Sequence, residues 1–516
     1  MSDTAKAPTP AIVLVGFMGA GKTTGARMIA NVLRERMVDT DKRIEQEVGT
    51  TIPEYFRKHG EPAFRAIEER IALELLDRAD GGVIALGGGT VQSEKVQQAL
   101  ERHTVVWLHV SLETAWRRAK RTDRPLARDR DSFAALFQQR AALYERISDV
   151  VLPEVDRQLL TSSVPVIRQV PQAKGATMLW AHTPAGGYPV WVRPGLLRDL
   201  PPWPLPEGSR RIGVTDDQVA EHYAGHIPGL SALVEFPAGE AYKTLETCER
   251  VWSALVAQGV TRSDHVVAIG GGVVGDLAGF VASTFQRGIP VVQVPTTLVA
   301  QVDSAYGGKT GVDLPAAKNY VGAYHQPAAV MVDPDALETL PQAELAAGYA
   351  EVVKTALIAG GPLWDAVSSG APVDPLTIAR CARTKLQVVA DDERDGGRRQ
   401  VLNLGHTIGH AIETVTDYRR YRHGEAVGLG LLAALQLSGQ DALRDQVSEL
   451  LAAVGLPTRM DGAIDVDTVH EATTRDKKRL GDKPVPFVVV RAPGDVRYGQ
   501  QLASRDVRGA IAALAP

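Results

Sequence analysis

Apolar residues occur along this chain in short unbroken runs that end in glycines, and each run is followed by a segment whose apolar positions recur every three to four residues. AIVLV (11–15) leads through GFMGAGK into TTGARMIANVL, VIAL (83–86) ends in GGGTV, and HVVAIGGG (265–272) opens into VVGDLAGFVAS. Such runs predict strands buried on both faces, glycine turns and amphipathic helices, the signature of an α/β fold with a parallel sheet. MVDTD (37–41) reads as a second strand whose end carries Asp39 and Asp41, two apart and so on one side of it. Periodicity lapses between Thr161 and Thr177, where Pro165, Pro171 and Gly175 mark a linker over 166–176. A strand pair then ends near Trp191, a proline-rich turn covers Pro201 to Pro206, and strands alternate with helices until the pattern turns mainly helical beyond Pro341. The expected organisation is a parallel-sheet domain at 1–165, an α/β domain at 177–340 and a mainly helical domain at 341–516.

The 516 residues suffice for several domains, each with its own core, and 44% hydrophobic with 23% charged residues is ordinary globular composition. A formal net charge of -4 and a pI near 6.3 supply no general field for nucleic acid or an anionic membrane, so any phosphate affinity has to come from local sites. No apolar run approaches the length that spans a bilayer, and MSDTAKAPTP has no signal-peptide core. Cys248 and Cys381 are the only cysteines, which excludes a disulfide framework or a cysteine metal cage and fits a reducing compartment. A cytoplasmic protein is expected.

Gly16, Gly21, Lys22 and Thr23 complete G-x-x-x-x-G-K-[ST] with a strand before and a helix after. In such a P-loop the amides around Gly19, Ala20, Gly21 and Thr24 cradle phosphates, Lys22 reaches the β and γ groups, and the Thr23 hydroxyl meets Mg²⁺. Of Asp39 and Asp41, one carboxylate can assist the metal while the other orients a substrate hydroxyl. Arg65 and Arg140 suit bidentate pairing with a small carboxylate, Gly87 to Gly89 let backbone approach a ligand, and the arginine-rich RRAKRTDRPLARDRD reads as a lid over the nucleotide or a solvated loop. GFMGAGKTT, DTD, FR-x-IE, GGG, RPL and QR-x-x-LY, in this order, resemble shikimate kinase over the first 165 residues. The resemblance implies a P-loop kinase fold that transfers phosphate from ATP to shikimate. Lys22 and Thr23 would meet ATP and Mg²⁺, with Asp39 behind the metal's direct ligands. Asp41, Arg65, Gly88 and Arg140 would hold shikimate, with Asp41 and Lys22 at the reacting groups and Arg124 on the lid.

In the second part Gly270, Gly272 and Gly275 fall in G-x-G-x-x-G spacing between a strand and a helix, a dinucleotide signal. The acidic residue expected about 20 positions later is missing from VVQVPTT, so the cofactor should bind in a variant manner, with Glu240 and Lys243 as candidate contacts. Arg287, Asp303, Lys309, Lys318 and Asn319 lie among glycines, valines and alanines, which argues for an interior polar pocket that binds an anion. Glu351 sits in AGYAEVVKTALIAG, a helical pattern that would bury its carboxylate, with Lys354 one turn on. His406 and His410, four apart, share a helix face, and His423 follows; imidazoles with a carboxylate suit Zn²⁺ with an open coordination position. By spacing alone a bare H-x-x-x-H is more often a pair of hydrogen-bonded core or surface histidines than a metal site.

GE-x-x-KT, GGGV-x-GD, PTTL-x-AQVDS-x-x-GGKT, KN-x-x-G, AEV-x-K and LN-x-GHT-x-GHAIE with HGE resemble 3-dehydroquinate synthase over about 340 residues. The resemblance implies a Rossmann-like NAD⁺-binding domain followed by a mainly helical metal-binding domain, a divalent metal (Zn²⁺ or Co²⁺), and a homodimer. The reaction would be cyclisation of 3-deoxy-D-arabino-heptulosonate 7-phosphate to 3-dehydroquinate with loss of phosphate. Metal ligands carried over are Glu351, His406 and His423, while His410 becomes a proton-transfer partner at the substrate instead of the second half of an H-x-x-x-H pair. Lys309, Lys354, Lys385, Arg399 and Asn403 would hold substrate, joined by Asp303; Lys318 and Asn319 substrate or cofactor; and Arg287 the phosphate. Gly271, Gly272, Val273, Val274, Gly275, Asp276, Thr296, Thr297 and Lys309 would line the NAD⁺ site. Asp395 stands where glutamate is expected. Neighbouring chemistries remain open on sequence: another sugar phosphate cyclase, a metal- and NAD-dependent polyol dehydrogenase, or a P-loop half that only senses nucleotide. Lys385 and Arg399, suited to a substrate carboxylate, favour the synthase.

Overall fold

The structure, a computed structural model, describes residues 9–120, 129–154, 157–200, 203, 205, 208–315, 317–474 and 485–516. The chain divides into two compact units: Met1–His182 with Gly186–Trp191 and Asp199–Pro204, and Thr183–Ala185 with Val192–Arg198 and Leu205–Pro516.

In the first unit β1 (Ile12–Val15), β2 (Met37–Asp39), β3 (Val83–Ala85), β4 (Thr104–Leu108), β5 (Val150–Leu152), β6 (Thr177–Thr183) and β7 (Gly186–Val192) lie in the order β2-β3-β1-β4-β5-β6-β7. The pairings from β2 to β6 are parallel. Every side chain of β1 is buried, as a central strand covered on both faces requires. Helices Lys22–Leu33, Thr40–Val48, Ile52–Asp77 and Arg130–Ile147 connect or follow these strands, the third broken at Gly60 (φ +79). Residues 166–176, expected as a linker, are instead the end of a helix (Arg157–Ile167), a 3₁₀ turn (Val170–Ala173) and the approach to β6. Leu159, Leu160, Val164 and Ile167 form an apolar stripe, each at most 1% exposed, that packs this helix on Lys22–Leu33; β6 then pairs with β5. The prolines punctuate an ordered segment rather than an unstructured one.

The second unit carries β8 (Arg211–Asp216), β9 (Leu230–Phe236), β10 (His265–Gly270), β11 (Val291–Pro295) and β14 (Ala329–Val332) in the order β14-β11-β10-β8-β9, all parallel. An antiparallel hairpin, β12 (Lys309–Leu314) and β13 (Ala317–Tyr324), packs on helix Gly272–Thr284. From Gln342 onward the regular structure among the described residues is helical apart from the hairpin of β15 (Phe487–Ala492) and β16 (Asp495–Gln500), so α/β followed by mainly helical is what forms. The helices Gln342–Ala359, Pro375–Asp391, His406–Val415 and His423–Leu437 carry the polar residues of interest. Among the described residues no helix is long and apolar enough to cross a membrane.

His265 opens β10 with no exposed surface, and its Nδ1 lies 2.7 Å from Ser209 Oγ. Burial lowers its pKa from 6.5 to about 4, so between those values the unfolded chain binds more protons than the folded one and stability falls as pH drops. The neighbouring Asp264 is held well below the usual carboxylate range by Arg210, so it stays charged throughout this window. We expect urea unfolding of the second unit to lose on the order of 3 kcal/mol from this group as pH falls from 7 to 4. His265→Gln should flatten that part of the profile, and an unchanged pH dependence in the variant would contradict the assignment.

Candidate active sites

In the first unit β1 runs into the loop that ends at Gly21, whose φ of +88 is a left-handed conformation a side chain would strain. That turn sets Lys22 at the start of its helix, where Nζ donates to Gly16 O (2.9 Å) and Phe17 O (3.3 Å). Thr23 Oγ1 donates to Asp39 Oδ2 at 2.6 Å. Asp39 also caps the next helix, its Oδ1 accepting from the backbone N–H of Asp41 (3.0 Å) and Lys42 (3.3 Å). This corrects the strand-based pairing of the two aspartates: the cap turns the chain helical at Thr40, so Asp41 sits in a helix's first turn and period-two alternation never reaches it.

Asp41 nevertheless faces the Gly87–Gly89 turn. A Cβ on Gly87 would stand 2.9 Å from Asp41 Oδ1 and 2.6 Å from Glu68 Oε1, one on Gly88 would be 3.6 Å from Lys22 Nζ, and one on Gly89 would overlap the Arg65 guanidinium. Lys22, Asp41, Arg65 and Glu68 thus converge on a backbone that only glycine leaves open. Glu68, 3% exposed, takes Arg65 Nη1 at 2.6 Å and Thr90 Oγ1 at 2.9 Å. The buried Arg140 lies over the Phe17 ring at 5.8 Å, and the Tyr144 hydroxyl donates to Gly88 O at 2.6 Å. Glu68 was read only as a letter in FR-x-IE, although its i, i+3 spacing from Arg65 on one helix was a signal that could have found the pair. Ala20 is buried, Gly19 half-buried and Thr24 exposed, while Arg124 lies outside the described residues.

In the second unit β10 ends at Gly270 and the helix Gly272–Thr284 begins after Gly271. Added Cβ atoms would stand 2.8 Å from the Thr297 methyl at Gly271, 3.2 Å from Ser304 Oγ at Gly272 and 2.9 Å from Gln293 Oε1 at Gly275, so the spacing serves close packing and leaves the helix's first amides bare. Thr296 N–H donates to Gly270 O at 3.0 Å; Val274 is buried and Val273 half-buried. Beside this turn the Lys243 ammonium, 4% exposed, is 2.6 Å from Asp276 Oδ2 and 2.7 Å from Asn319 Oδ1, and Lys318 pairs with Glu240 at 3.1 Å. Burial raises the Asp276 carboxyl above its ordinary value against the pull of Lys243.

Asp303 collects two ammonium groups, Lys385 Nζ at 2.9 Å and Lys354 Nζ at 3.7 Å from its Oδ1. Burial alone would raise the Asp303 pKa; the two lysines hold it below the usual range. Arg399, 2% exposed, donates from Nη2 to Gly307 O (3.0 Å) and from Nη1 to Glu393 O. Lys309 pairs with Asp395 at 2.5 Å, and Asn403 ends the 3₁₀ segment Arg398–Asn403 just ahead of His406. Arg287 is exposed at the far end of helix Gly272–Thr284, about 20 Å from the glycine turn at 1.5 Å per residue, and is not brought to this cluster within the chain.

Glu351 has no exposed surface, and neither of its oxygens takes a well-formed hydrogen bond. Its Oε2 meets the Lys354 ammonium, while Oε1 faces His423 Nε2 at 3.4 Å and His406 Nε2 at 3.6 Å. His406 Nδ1 is 3.1 Å from Leu404 O, which can only accept, so that nitrogen carries the proton and Nε2 presents a lone pair. Burial would raise the Glu351 pKa, but Lys354 and His423 hold it well below the usual range; burial would lower His423, but Glu351 and Glu413 raise it to about 10. The space between carboxylate and imidazoles therefore demands positive charge, from a proton or from a metal that displaces it. One oxygen and two nitrogens within 4.8 Å of one another fit a divalent cation of the zinc type. His410, on the same helix face, groups with His423 and Glu413 instead, its ring 5.2 Å from that of His406.

Two glycines that sequence reasoning missed allow this convergence. A Cβ on Gly424 would collide with Ala347 O, one turn before Glu351, and one on Gly430 with Gly405 O, the residue before His406. The helix His423–Leu437 thus lies backbone to backbone against both neighbours.

Residues 18–168 match the family model described as shikimate kinase, 233–347 that of 3-dehydroquinate synthase N-terminal, and 348–479 that of 3-dehydroquinate synthase C-terminal. The 3-dehydroquinate synthase of Halorhodospira halophila is 44% identical over 335 residues, covering 61% of this chain and 93% of its own length. Among solved structures, 2-deoxy-scyllo-inosose synthase complexed with carbaglucose-6-phosphate, NAD⁺ and Co²⁺ is similar at TM-score 0.59 and 26% identity, covering 65% of this chain and 99% of that one. 2-epi-5-epi-valiolone synthase from Streptomyces hygroscopicus subsp. jinggangensis, with NAD⁺ and Zn²⁺ bound, is similar at TM-score 0.57 and 27% identity, covering 63% and 96%.

Gly430→Ala should force the His406 and His423 helices apart. We expect at least a tenfold loss of Zn²⁺ affinity by chelator competition and a lower melting temperature for the second unit. Gly428→Ala, whose Cβ would make ordinary contacts with the Leu451 side chain at 3.4 Å and Ala350 Cβ at 4.0 Å, should change neither.

Proposed function

Because the chain belongs to the 3-dehydroquinate synthase family and carries a shikimate kinase domain ahead of it, we propose how its residues divide two reactions of the shikimate pathway between two sites. The first unit phosphorylates shikimate at the expense of ATP; the second cyclises 3-deoxy-D-arabino-heptulosonate 7-phosphate to 3-dehydroquinate and releases phosphate. Both substrates are small molecules.

At the kinase site the loop amides and Lys22 hold the nucleotide phosphates, and Thr23 with Asp39 holds Mg²⁺. Arg65 and Arg140 grip the shikimate carboxylate against the Gly88 backbone, and Asp41 orients the attacking hydroxyl and takes its proton. Glu68 fixes Arg65.

At the synthase site Glu351, His406 and His423 are the ligands of Zn²⁺ or Co²⁺, and the turn Gly271–Gly275 with Glu240, Lys243 and Asp276 is the seat of NAD⁺. When bound, these groups supply Lewis acidity and a hydride acceptor that is restored within each turnover. Lys385, Arg399 and Asn403 bind the carboxylate end of the substrate. Lys309 and Lys354 stabilise developing negative charge, and His410 moves a proton at the substrate. The observation that carries this reading is the buried Glu351 carboxylate facing two imidazole Nε2 atoms, beside the Lys354–Asp303–Lys385 cluster. We further assign the protein to the cytoplasm, as a homodimer through its synthase unit.

Removal of tightly bound metal is expected to abolish 3-dehydroquinate formation until Zn²⁺ or Co²⁺ is returned, while the kinase needs only Mg²⁺. Synthase turnover in a verified metal-free sample would reject the ligand assignment. Lys22→Ala should lower kinase kcat/KM by about two orders of magnitude and leave phosphate release by the synthase intact, and His406→Ala should do the reverse. Parallel losses of both activities in a folded variant would contradict two independent sites.

A further inference from the structure

His423 is held from two sides. Its Nε2 faces Glu351 Oε1 at 3.4 Å, and its Nδ1 lies 3.3 Å from Oε1 of Glu413, a carboxylate only 4% exposed. Glu413 follows His406 by seven residues and His410 by three on helix His406–Val415, so it projects from the face that carries both histidines toward the start of helix His423–Leu437. A buried carboxylate costs stability unless it has a polar task. Ile408, Ala411 and Ile412, its neighbours on this helix, are buried apolar residues.

We propose that Glu413 is the positioning residue of the metal site: it accepts the Nδ1–H of His423, fixes that tautomer and ring orientation, and so aims the Nε2 lone pair at the position shared with Glu351 and His406. The proposal rests on reading those three residues as the metal ligands. Leu404 O does the same for His406 from 3.1 Å, so each imidazole has its outer nitrogen tied to an acceptor and its inner nitrogen turned to one point. The two devices differ in kind. A backbone carbonyl cannot be mutated away and carries no charge, whereas Glu413 adds a full negative charge behind His423 and makes that imidazole the stronger donor of the two.

Glu413 also falls within 4.8 Å of ligand atoms of His410 and His423 as a second potential cation group, and the shared His423 separates the two possibilities. Nδ1 cannot both donate to Glu413 and ligate a second ion. On the proposal the unit binds one metal ion per chain.

The test measures Zn²⁺ binding directly, by competition with a chromophoric chelator, on the full chain as wild type, Glu413→Gln, Glu413→Leu and His406→Ala. Metal stoichiometry and the visible spectrum of the Co²⁺ form are recorded alongside. Glu413→Gln, which keeps an acceptor and removes the charge, should weaken binding about tenfold, and Glu413→Leu about a hundredfold. Both should shift the Co²⁺ bands while kinase turnover and the far-ultraviolet circular dichroism stay as in wild type. Wild-type affinity in Glu413→Leu, or two ions per wild-type chain, would overturn the inference. If His406→Ala also bound metal like wild type, the failure would lie with the metal-site reading itself; loss in His406→Ala with none in Glu413→Leu would sink the positioning role alone.

Discussion

A carboxylate sealed from water sets the terms for the second unit. Glu351 sits in the middle of a helix of small and apolar residues, and a charge so placed costs several kcal/mol unless opposite charge reaches it. The fold answers with Lys354 from the same helix and two imidazoles from two others. Lys354 is itself buried and leans on Asp303, which shares its charge with Lys385. Sign alternates along this series, so each member is tolerable only because its neighbours are present. The arrangement is less a source of stability than a condition on the order in which helices and sheet must meet.

Both units present backbone amides through a strand, a glycine turn and a helix, but they recruit positive charge differently. In the first, Lys22 directly follows the turn and folds back onto the loop carbonyls. In the second, the turn carries no lysine; Lys243 arrives from a separate segment and is held by Asp276 and Asn319. A lysine at the head of the helix rests on the carbonyls of the loop before it, whereas one delivered from the side is held by a carboxylate and an amide of other segments.

What the sequence made legible follows from the range of its signals. Strand-to-glycine-to-helix junctions are contiguous, so β1, β10 and their helices could be read directly, and the helical periodicity around His406 put His410 on its face; Glu413, on the same face, went unread. The pairing of Asp39 with Asp41 was misjudged because a cap outweighs strand propensity at one residue. The stretch after Thr161 was misjudged because its prolines masked an apolar stripe that packs on the P-loop helix. Gly424 and Gly430 were beyond reach for another reason: each acts on a partner distant along the chain, and neither composition nor spacing records which backbone atom a missing side chain would have struck.

The close approach at Gly424 and Gly430 bears on how such a centre can be moved or rebuilt. Copying Glu351, His406 and His423 onto another three-helix scaffold would reproduce the chemistry of the donors but not their convergence, since ordinary side chains at the two contact points hold helices at their usual 8–10 Å separation. A designer would have to transplant the two absences along with the three ligands. In this protein the instruction for where a cation sits is written partly in atoms that are not there.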